Sequence, residues 1–397
     1  AITWAFFAII VVAFLSSGRK GFNDNSNNIT NASNSLDNNT SSSSQNNSTV
    51  ISNNSEILKN VSEEILYTEN DTEGVIKPFI KITDDVVDMT HLDGGIVVLK
   101  SDGSVWYTGQ GKPWYNTNGY DDSTMVKIEG FPKIKKLAGC ASIVYALSED
   151  GNIWSYGTQS NKYGAYGNGT FDETNIPVCV VKSDGSALDG IIDIGYEIAL
   201  DSSGKIWRWG NYIRGFDAPY YNYAEPMLNF PYVDKMYTSS SGAQIELHTN
   251  DNKVWLIGEY GYKHDSYSYH SYQATCVDFP NDATRLIERG KAGVILYNDK
   301  SIKKYISSSI INTFSLNNIE DISMDYYAGG IIATDNLGYV YVWGSILQES
   351  NGTPINSSES PIKVDELTNI AKVKYYGCLP LALDKNGVLY ASKFIKE

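Results

Sequence analysis

The sequence is poor in cysteine, histidine and positive charge, and each shortage removes a class of function. Its 397 residues include four cysteines, Cys140, Cys179, Cys276 and Cys378. Four scattered cysteines make no disulfide framework, and no two stand at zinc-ligand spacing. Cys140 and Cys378 occupy matching places in two repeats, as do Cys179 and Cys276 in two others. Non-adjacent repeats hold such pairs apart, so four free, largely buried thiols are expected. The four histidines are His91, His248, His264 and His270. His264-Asp265 and His270 share a segment, but no third ligand accompanies them, and they read as loop residues rather than a metal or acid–base site. Asp84-Asp85 and Asp121-Asp122 lack the alternating oxygen ligands and glycine of a calcium loop. No Gly-x-Ser-x-Gly, His-Glu-x-x-His or phosphate-loop pattern appears. No cofactor, metal or catalytic residue is therefore expected, and the chain reads as a non-enzyme. Lys and Arg total 31 against 46 acidic residues, a net charge of −15. That balance opposes binding to nucleic acid, where affinity rests on cations that neutralise phosphates.

Long apolar runs are also scarce. The one clear run is residues 1–15, AITWAFFAIIVVAFL, followed by Ser16, Ser17, Gly18, Arg19 and Lys20. It falls between a signal-peptide core and a spanning helix. A signal anchor, a cleaved signal peptide and a buried core helix are the readings for residues 1–20. The first places the protein at the membrane through residues 1–18, exported and held at the cell surface. The second leaves it secreted. Residues 21–74 form a linker dominated by Asn, Ser and Thr, with Tyr67 its one Trp or Tyr. Such a composition buries too little apolar surface to fold, so disorder is expected. Asn-x-Ser/Thr triplets at Asn28, Asn31 and Asn60 are of the kind that chance supplies here. Ile57, Val61 and Ile65 recur every four residues, which fits a short helix over 56–66.

What is abundant is tyrosine, 29 residues, joined by eight tryptophans. Part of this surplus belongs to a recurring phrase: a turn residue, any residue, an aliphatic, an aromatic, two variable residues, then glycine. The clearest copies are Gly103-Ser-Val-Trp106-Tyr-Thr-Gly109, Gly151-Asn-Ile-Trp154-Ser-Tyr-Gly157 and Gly204-Lys-Ile-Trp207-Arg-Trp-Gly210. Asn252-Lys-Val-Trp255-Leu-Ile-Gly258 and Gly338-Tyr-Val-Tyr341-Val-Trp-Gly344 keep it with changes. Lys300-Ser-Ile-Lys303-Lys-Tyr-Ile306 and Gly387-Val-Leu-Tyr390-Ala-Ser-Lys393 are degraded copies. Their first residues are spaced by 48, 53, 48, 48, 38 and 49, the mark of a repeat architecture.

Each phrase opens at a pair such as Asp102-Gly103 or Asn386-Gly387, which supplies the positive φ of a tight hairpin. An aliphatic strand precedes it, and a proline often opens a further extended segment upstream, as at Pro78, Pro177 and Pro361. Three or four short strands per repeat and little helix follow. Ile153 and Trp154 are both large and apolar although adjacent strand residues point opposite ways. Each sheet must therefore be covered on both faces by neighbours, and truncating Trp154 or Trp207 to Ala should cost about 3–5 kcal/mol.

The phrase resembles the regulator of chromosome condensation repeat, a seven-bladed propeller family that includes bacterial β-lactamase-inhibitor propellers. Ala146-Leu147-Ser-Glu-Asp150-Gly151-Asn-Ile-Trp154-Ser-Tyr-Gly157 and the tail Asn161-Lys-Tyr-Gly164-Ala-Tyr-Gly167-Asn-Gly169-Thr170 carry the likeness. It covers about residues 75–397. It implies an all-β, monomeric seven-bladed β-propeller with blades near 78–124, 125–175, 176–225, 226–272, 273–317, 318–359 and 360–397. A histidine frequent in the family is absent, with Gly95, Ile143 and Leu379 at matching positions. The namesake guanine-nucleotide exchange is not carried over to this chain.

Between the Trp strand of one blade and the next blade a long loop is expected, and four such loops are rich in aromatics. They hold Trp114, Tyr115 and Tyr120; Tyr163 and Tyr166; Tyr212, Tyr220, Tyr221 and Tyr223; and Tyr260, Tyr262, Tyr267, Tyr269 and Tyr272. Tyrosine gives a large contact area at low entropic cost, so these loops are candidate recognition surfaces for an extracellular protein or glycan. Rival readings are rings that merely cover gaps between blades, a polysaccharide hydrolase or lyase with its carboxylates in the central channel, and a structural surface protein.

Overall fold

The computed structural model describes residues 79–392, apart from segments 93–94, 110–124, 141, 158–160, 211–219, 240–243, 261–268, 290–291, 307–308, 312–315, 325–329, 349–353 and 377–378. The amino-terminal run, the linker and its helix at 56–66 lie outside the described residues. So do Trp114, Tyr115, Tyr120, Tyr212, Tyr262, Tyr267 and His264. Among the described residues no helix is long and apolar enough to cross a membrane.

Seven four-stranded antiparallel sheets form a seven-bladed propeller. Their innermost strands are Val86–Leu92, Ile134–Cys140, Ile191–Gly195, Val233–Thr238, Ala283–Arg289, Ile319–Met324 and Ile370–Tyr376. In blades one to six, three further strands follow outward in chain order. The seventh blade takes its outermost strand from the other end of the array: Phe79–Thr83 pairs with Leu389–Ser392, with Ile80 opposite Ala391. The ring is thus closed by hydrogen bonds between the two ends of the array.

This closure shifts the blades by one strand from the sequence expectation. The segment after Pro177 does not open the third blade: Val178–Cys179 pairs with Ile153–Gly157 as the edge of the second. The long loops consequently join the third and fourth strands of one blade instead of linking blades. In blades four and six much of the expected loop is strand. Tyr260 pairs with Tyr269, and Ser345 with Ser357.

Blade packing follows the two-residue period of a strand. Seven hydrophobic clusters fill the seven junctions between neighbouring blades. In blade two Ile143, Tyr145 and Leu147 face blade three, while Val144 and Ala146 face blade one. Ile153 and Trp154 divide the same way. The aliphatic of the phrase is the buried member, from Val105 at 0% exposure to Val254 at 5%. The aromatic is only half-buried at Trp106, Trp154, Trp207 and Trp255. Its ring covers the junction from outside, and at two copies the indole N–H serves the turn: Trp106 Nε1 donates to Ser104 Oγ and Trp207 Nε1 to Asp201 Oδ2, both at 2.8 Å. The large rings fully inside are Trp209, Tyr145, Tyr166 and Tyr375.

The phrase begins where it does because its first residue meets the next blade. Residues 103, 151, 204, 252, 300, 338 and 387 all have φ between 60° and 84°. At six junctions the carbonyl of that residue accepts the N–H that opens the next inner strand, as Gly338 does from Ile370 at 3.0 Å. A Cβ on Gly338 would lie 2.6 Å from Asn369 Cα. Positive φ and close approach both call for glycine there. Lys300 keeps the geometry without it, at φ 65°.

The thiols differ from expectation. Cys276 is exposed and Cys179 half-buried, because both lie on outermost strands that no blade covers from outside.

Candidate functional site

Two regions concentrate polar chemistry: the central channel and a tyrosine patch on blades two and three. The channel is built by the innermost strands. Each has a bulge after its first residue, and the residue beyond the bulge is charged in all seven. In ring order these are Asp88, Lys136, Asp193, Lys235, Arg285, Asp321 and Lys372. An innermost strand leaves one edge unpaired, and buried backbone groups need partners. The charged side chains supply them from the preceding blade. Leu137 N–H donates to Asp88 Oδ2 at 2.9 Å and Val373 N–H to Asp321 Oδ2 at 2.9 Å. Lys372 Nζ donates to the Val87 carbonyl at 2.9 Å, and Arg285 Nη1 to the Ile322 carbonyl at 3.3 Å.

Ion pairs run in the same direction. Lys136 meets Asp193 at 2.5 Å, Lys372 meets Asp88 at 3.4 Å and Arg285 meets Asp321 at 3.8 Å. Signs cannot alternate around an odd ring. The one like-charged pair of neighbours is Lys235 and Arg285, at the junction of blades four and five. There the carboxylate comes from Glu246 on the second strand, which accepts Leu286 N–H at 3.0 Å and approaches His248 Nε2 at 2.6 Å.

The environment shifts several of these groups. Burial lowers the Lys374 amine despite the attraction of Asp88 and Asp321. Burial likewise raises the Asp321 carboxyl against the pull of Arg285. His91 is lowered from 6.5 to about 3, first by burial and then by Lys374. Burial raises the Tyr237 hydroxyl, with Arg285 opposing; the guanidinium stands 5.0 Å from the ring centroid.

The hydrolase or lyase reading expects catalytic carboxylates in the central channel, and the described residues place Asp88, Asp193 and Asp321 there. These carboxylates are bound to cations and to backbone N–H groups, so their geometry serves blade docking. Among the described residues no cluster of three or more His, Cys, Asp or Glu is placed to hold a metal.

The tyrosine patch arises from the Gly-rich tail. Asn161 is buried and acts as its hub, accepting Tyr166 N–H at 3.0 Å and donating to the carbonyls of Thr170 and Asp172 at 3.0 Å. Tyr166, expected on the surface, is 1% exposed, with its hydroxyl on the Gly157 carbonyl at 2.9 Å. The tail folds it inward to fill the junction with blade three. Tyr163 and Tyr220 instead meet edge to face at the rim, with centroids 4.9 Å apart. Tyr221 and Tyr223 meet at 5.5 Å, and Lys162 Nζ lies 4.6 Å from the Tyr163 ring. Tyr220 is exposed and Tyr163, Tyr221 and Tyr223 half-exposed. Tyr260, Tyr269 and Tyr272 are strand residues of blade four.

The charged ring escaped the sequence reading, although its signal is present. Each inner strand begins with an aliphatic, any residue, a charge and an apolar residue, as in Val86-Val87-Asp88-Met89 and Ile134-Lys135-Lys136-Leu137.

No protein-family model and no curated protein sequence matches the chain. Solved structures do. Yeast RCC1 (Prp20), in its complex with Kap60, matches with a TM-score of 0.56 at 16% identity, over 79% of this chain and 80% of that one. Human WBSCR16 matches with a TM-score of 0.55 at 12% identity, over 79% and 87%. Prp20p from Saccharomyces cerevisiae, described with its binding to Gsp1p and histones, gives 0.51 at 14%, over 79% and 83%. At such identities the likeness establishes the fold: an RCC1-like seven-bladed propeller.

Proposed function

From the RCC1-like propeller fold we propose that this chain is a non-catalytic protein-binding module whose recognition surface is centred on Tyr163, Tyr220, Tyr221 and Tyr223. The propeller fold itself supports a binding role. The observation that carries the finer reading is the coupled pair Tyr163 and Tyr220, with Lys162 beside it. Paired rings with a polar tip and one cation are the composition of protein recognition surfaces. Prp20's complexes with Kap60, and its binding to Gsp1p and histones, support a protein over a glycan as the ligand here. The apolar residues 1–15 and the Asn/Ser/Thr-rich stretch support an exported, tethered placement, which sequencing of the mature amino terminus would test.

A photo-crosslinking residue at position 220 tests the surface. Leu337, 68% exposed at the opposite end of the strands, is the control position. The reading expects discrete protein adducts from position 220 and none shared with 337. Identical adducts from both positions, or adducts abolished by deglycosylating the extract, would overturn it.

A further inference from the structure

Among the described residues the junction of blades four and five differs from the other six in three ways, and it lines a cavity. It is where like charges adjoin, at Lys235 and Arg285. It is where the turn-to-strand bond is missing: Ala283 N–H donates to the Pro280 carbonyl, not to Asn252. Its hydrophobic cluster has five buried residues, against eight to fifteen at the others. The cavity, of about 40 Å³, is lined by Tyr237, Glu246, Arg285, Leu286, Ser323 and Met324 among others.

The polar groups around that cavity are unequally used. Both oxygens of Glu246 are engaged, by His248 and Leu286 N–H. Both oxygens of Asp321 are engaged, by Ile322 and Val373 N–H, with Arg285 beside them. Donors are in surplus. Arg285 Nε is buried without a partner. Ser323 Oγ accepts Tyr375 N–H at 3.0 Å, which leaves its own proton to give. Among the described residues, channel-facing positions carry five cations, Lys136, Lys235, Arg285, Lys372 and Lys374, against Asp88, Asp193, Asp321 and the engaged Glu246. Unused donors in a partly enclosed space beside a guanidinium are complementary to an oxyanion.

We propose that the cavity between blades four and five is a carboxylate receptor, with Arg285 as its charged donor and the Tyr237 and Ser323 hydroxyls as neutral ones. The cavity has room for a carboxylate head. The carboxylate comes either from a free small acid or from an acidic side chain reaching into the channel. The site is independent of the tyrosine patch.

The full chain would be titrated with ¹³C-acetate, reading line broadening, with ¹³C-acetamide as the neutral isostere. Saturable broadening by acetate alone is expected. Arg285→Gln should weaken it by roughly tenfold or more, as loss of a charge-assisted hydrogen bond does. Tyr237→Phe removes one hydroxyl and keeps the ring, so it separates lost binding from lost folding; a loss of roughly threefold is expected. Tyr220→Ser should leave binding unchanged, so failure of the patch reading and failure of this one are distinguishable. Acetyl-Gly-Glu-Gly-amide competing with acetate, where its Gln counterpart does not, would assign the source to a protein side chain. Competition by free acids alone would assign it to a metabolite-sized ligand. Equal broadening by acetate and acetamide, or an undiminished response in Arg285→Gln, would overturn the proposal.

Discussion

Asp88 on the first blade accepts the backbone N–H of Leu137 on the second at 2.9 Å, while Lys372 of the seventh reaches Asp88 at 3.4 Å. One carboxylate thereby joins three blades across the point where the chain closes on itself. The equivalent arrangement at Asp321 joins blades five, six and seven.

Removing such a carboxylate should cost more than removing a surface one. Asp321→Ala leaves Val373 N–H without its acceptor and Arg285 without its counter-charge. The expected loss is about 2–3 kcal/mol, typical of hydrogen bonds to charged groups. Glu320→Ala, which breaks the exposed pair with Lys300, should change stability by less than about 1 kcal/mol. Urea midpoints of the two variants check the ordering.

The turn position separates glycine from its substitutes. Lys300 holds φ 65°, where an L side chain is strained. Lys300→Gly should stabilise the protein by about 0.5–1 kcal/mol. Gly338→Ala should destabilise it by more than about 2 kcal/mol, since strain adds to the contact with Asn369. Thermal melts of both variants would test the pair, and a fall in both would contradict this reading of the turn.

The buried rings rank differently from the repeated ones. Trp209 is fully buried, donates to the Ala165 carbonyl at 3.1 Å and meets the Tyr145 ring at 5.3 Å. Trp209→Ala should cost about 3–5 kcal/mol. Trp154→Ala should cost less, because that ring is only partly buried in the fold. Tyr220→Ser should leave stability within about 0.5 kcal/mol of the parent. Equilibrium denaturation of the three variants gives the order directly.

Acid should destabilise this protein in two separate windows. His91, lowered to about 3 in the fold, takes its proton near 6.5 when unfolded. Between those values the unfolded chain binds more protons, so stability falls as pH drops from 6.5. Asp102, Asp184 and Asp299 are lowered by hydrogen bonds from Ser104, Ser186 and Ser301. Their contribution is complete above about pH 4 and is lost only below it. His91→Gln should therefore flatten the decline between pH 6.5 and 4.5 and leave the lower one intact. Urea midpoints at pH 7, 5.5, 4.5 and 3.5 resolve the two.

Much of the architecture was legible because it is local. The residue pair at each turn sets φ, and the aliphatic two places on sets the buried face. Both recur at a spacing that counts the blades. Tyr166 and Trp154 show where local reading ends. Both are aromatic and both stand in the repeat, yet one fills a junction and the other roofs it. That difference depends on the fold of the Gly-rich tail around Asn161, which alternation along a strand does not encode.

By itself the sequence determined the repeat, the seven turns, the all-β class and the need for every sheet to be covered on both faces. Only the tertiary structure decided which strand closes the ring. It also decided that seven charges, spread over about 285 residues of chain, meet in one channel. Their signs acquire meaning only once the ends are joined, because an odd number of alternating charges is frustrated in a circle and not in a line.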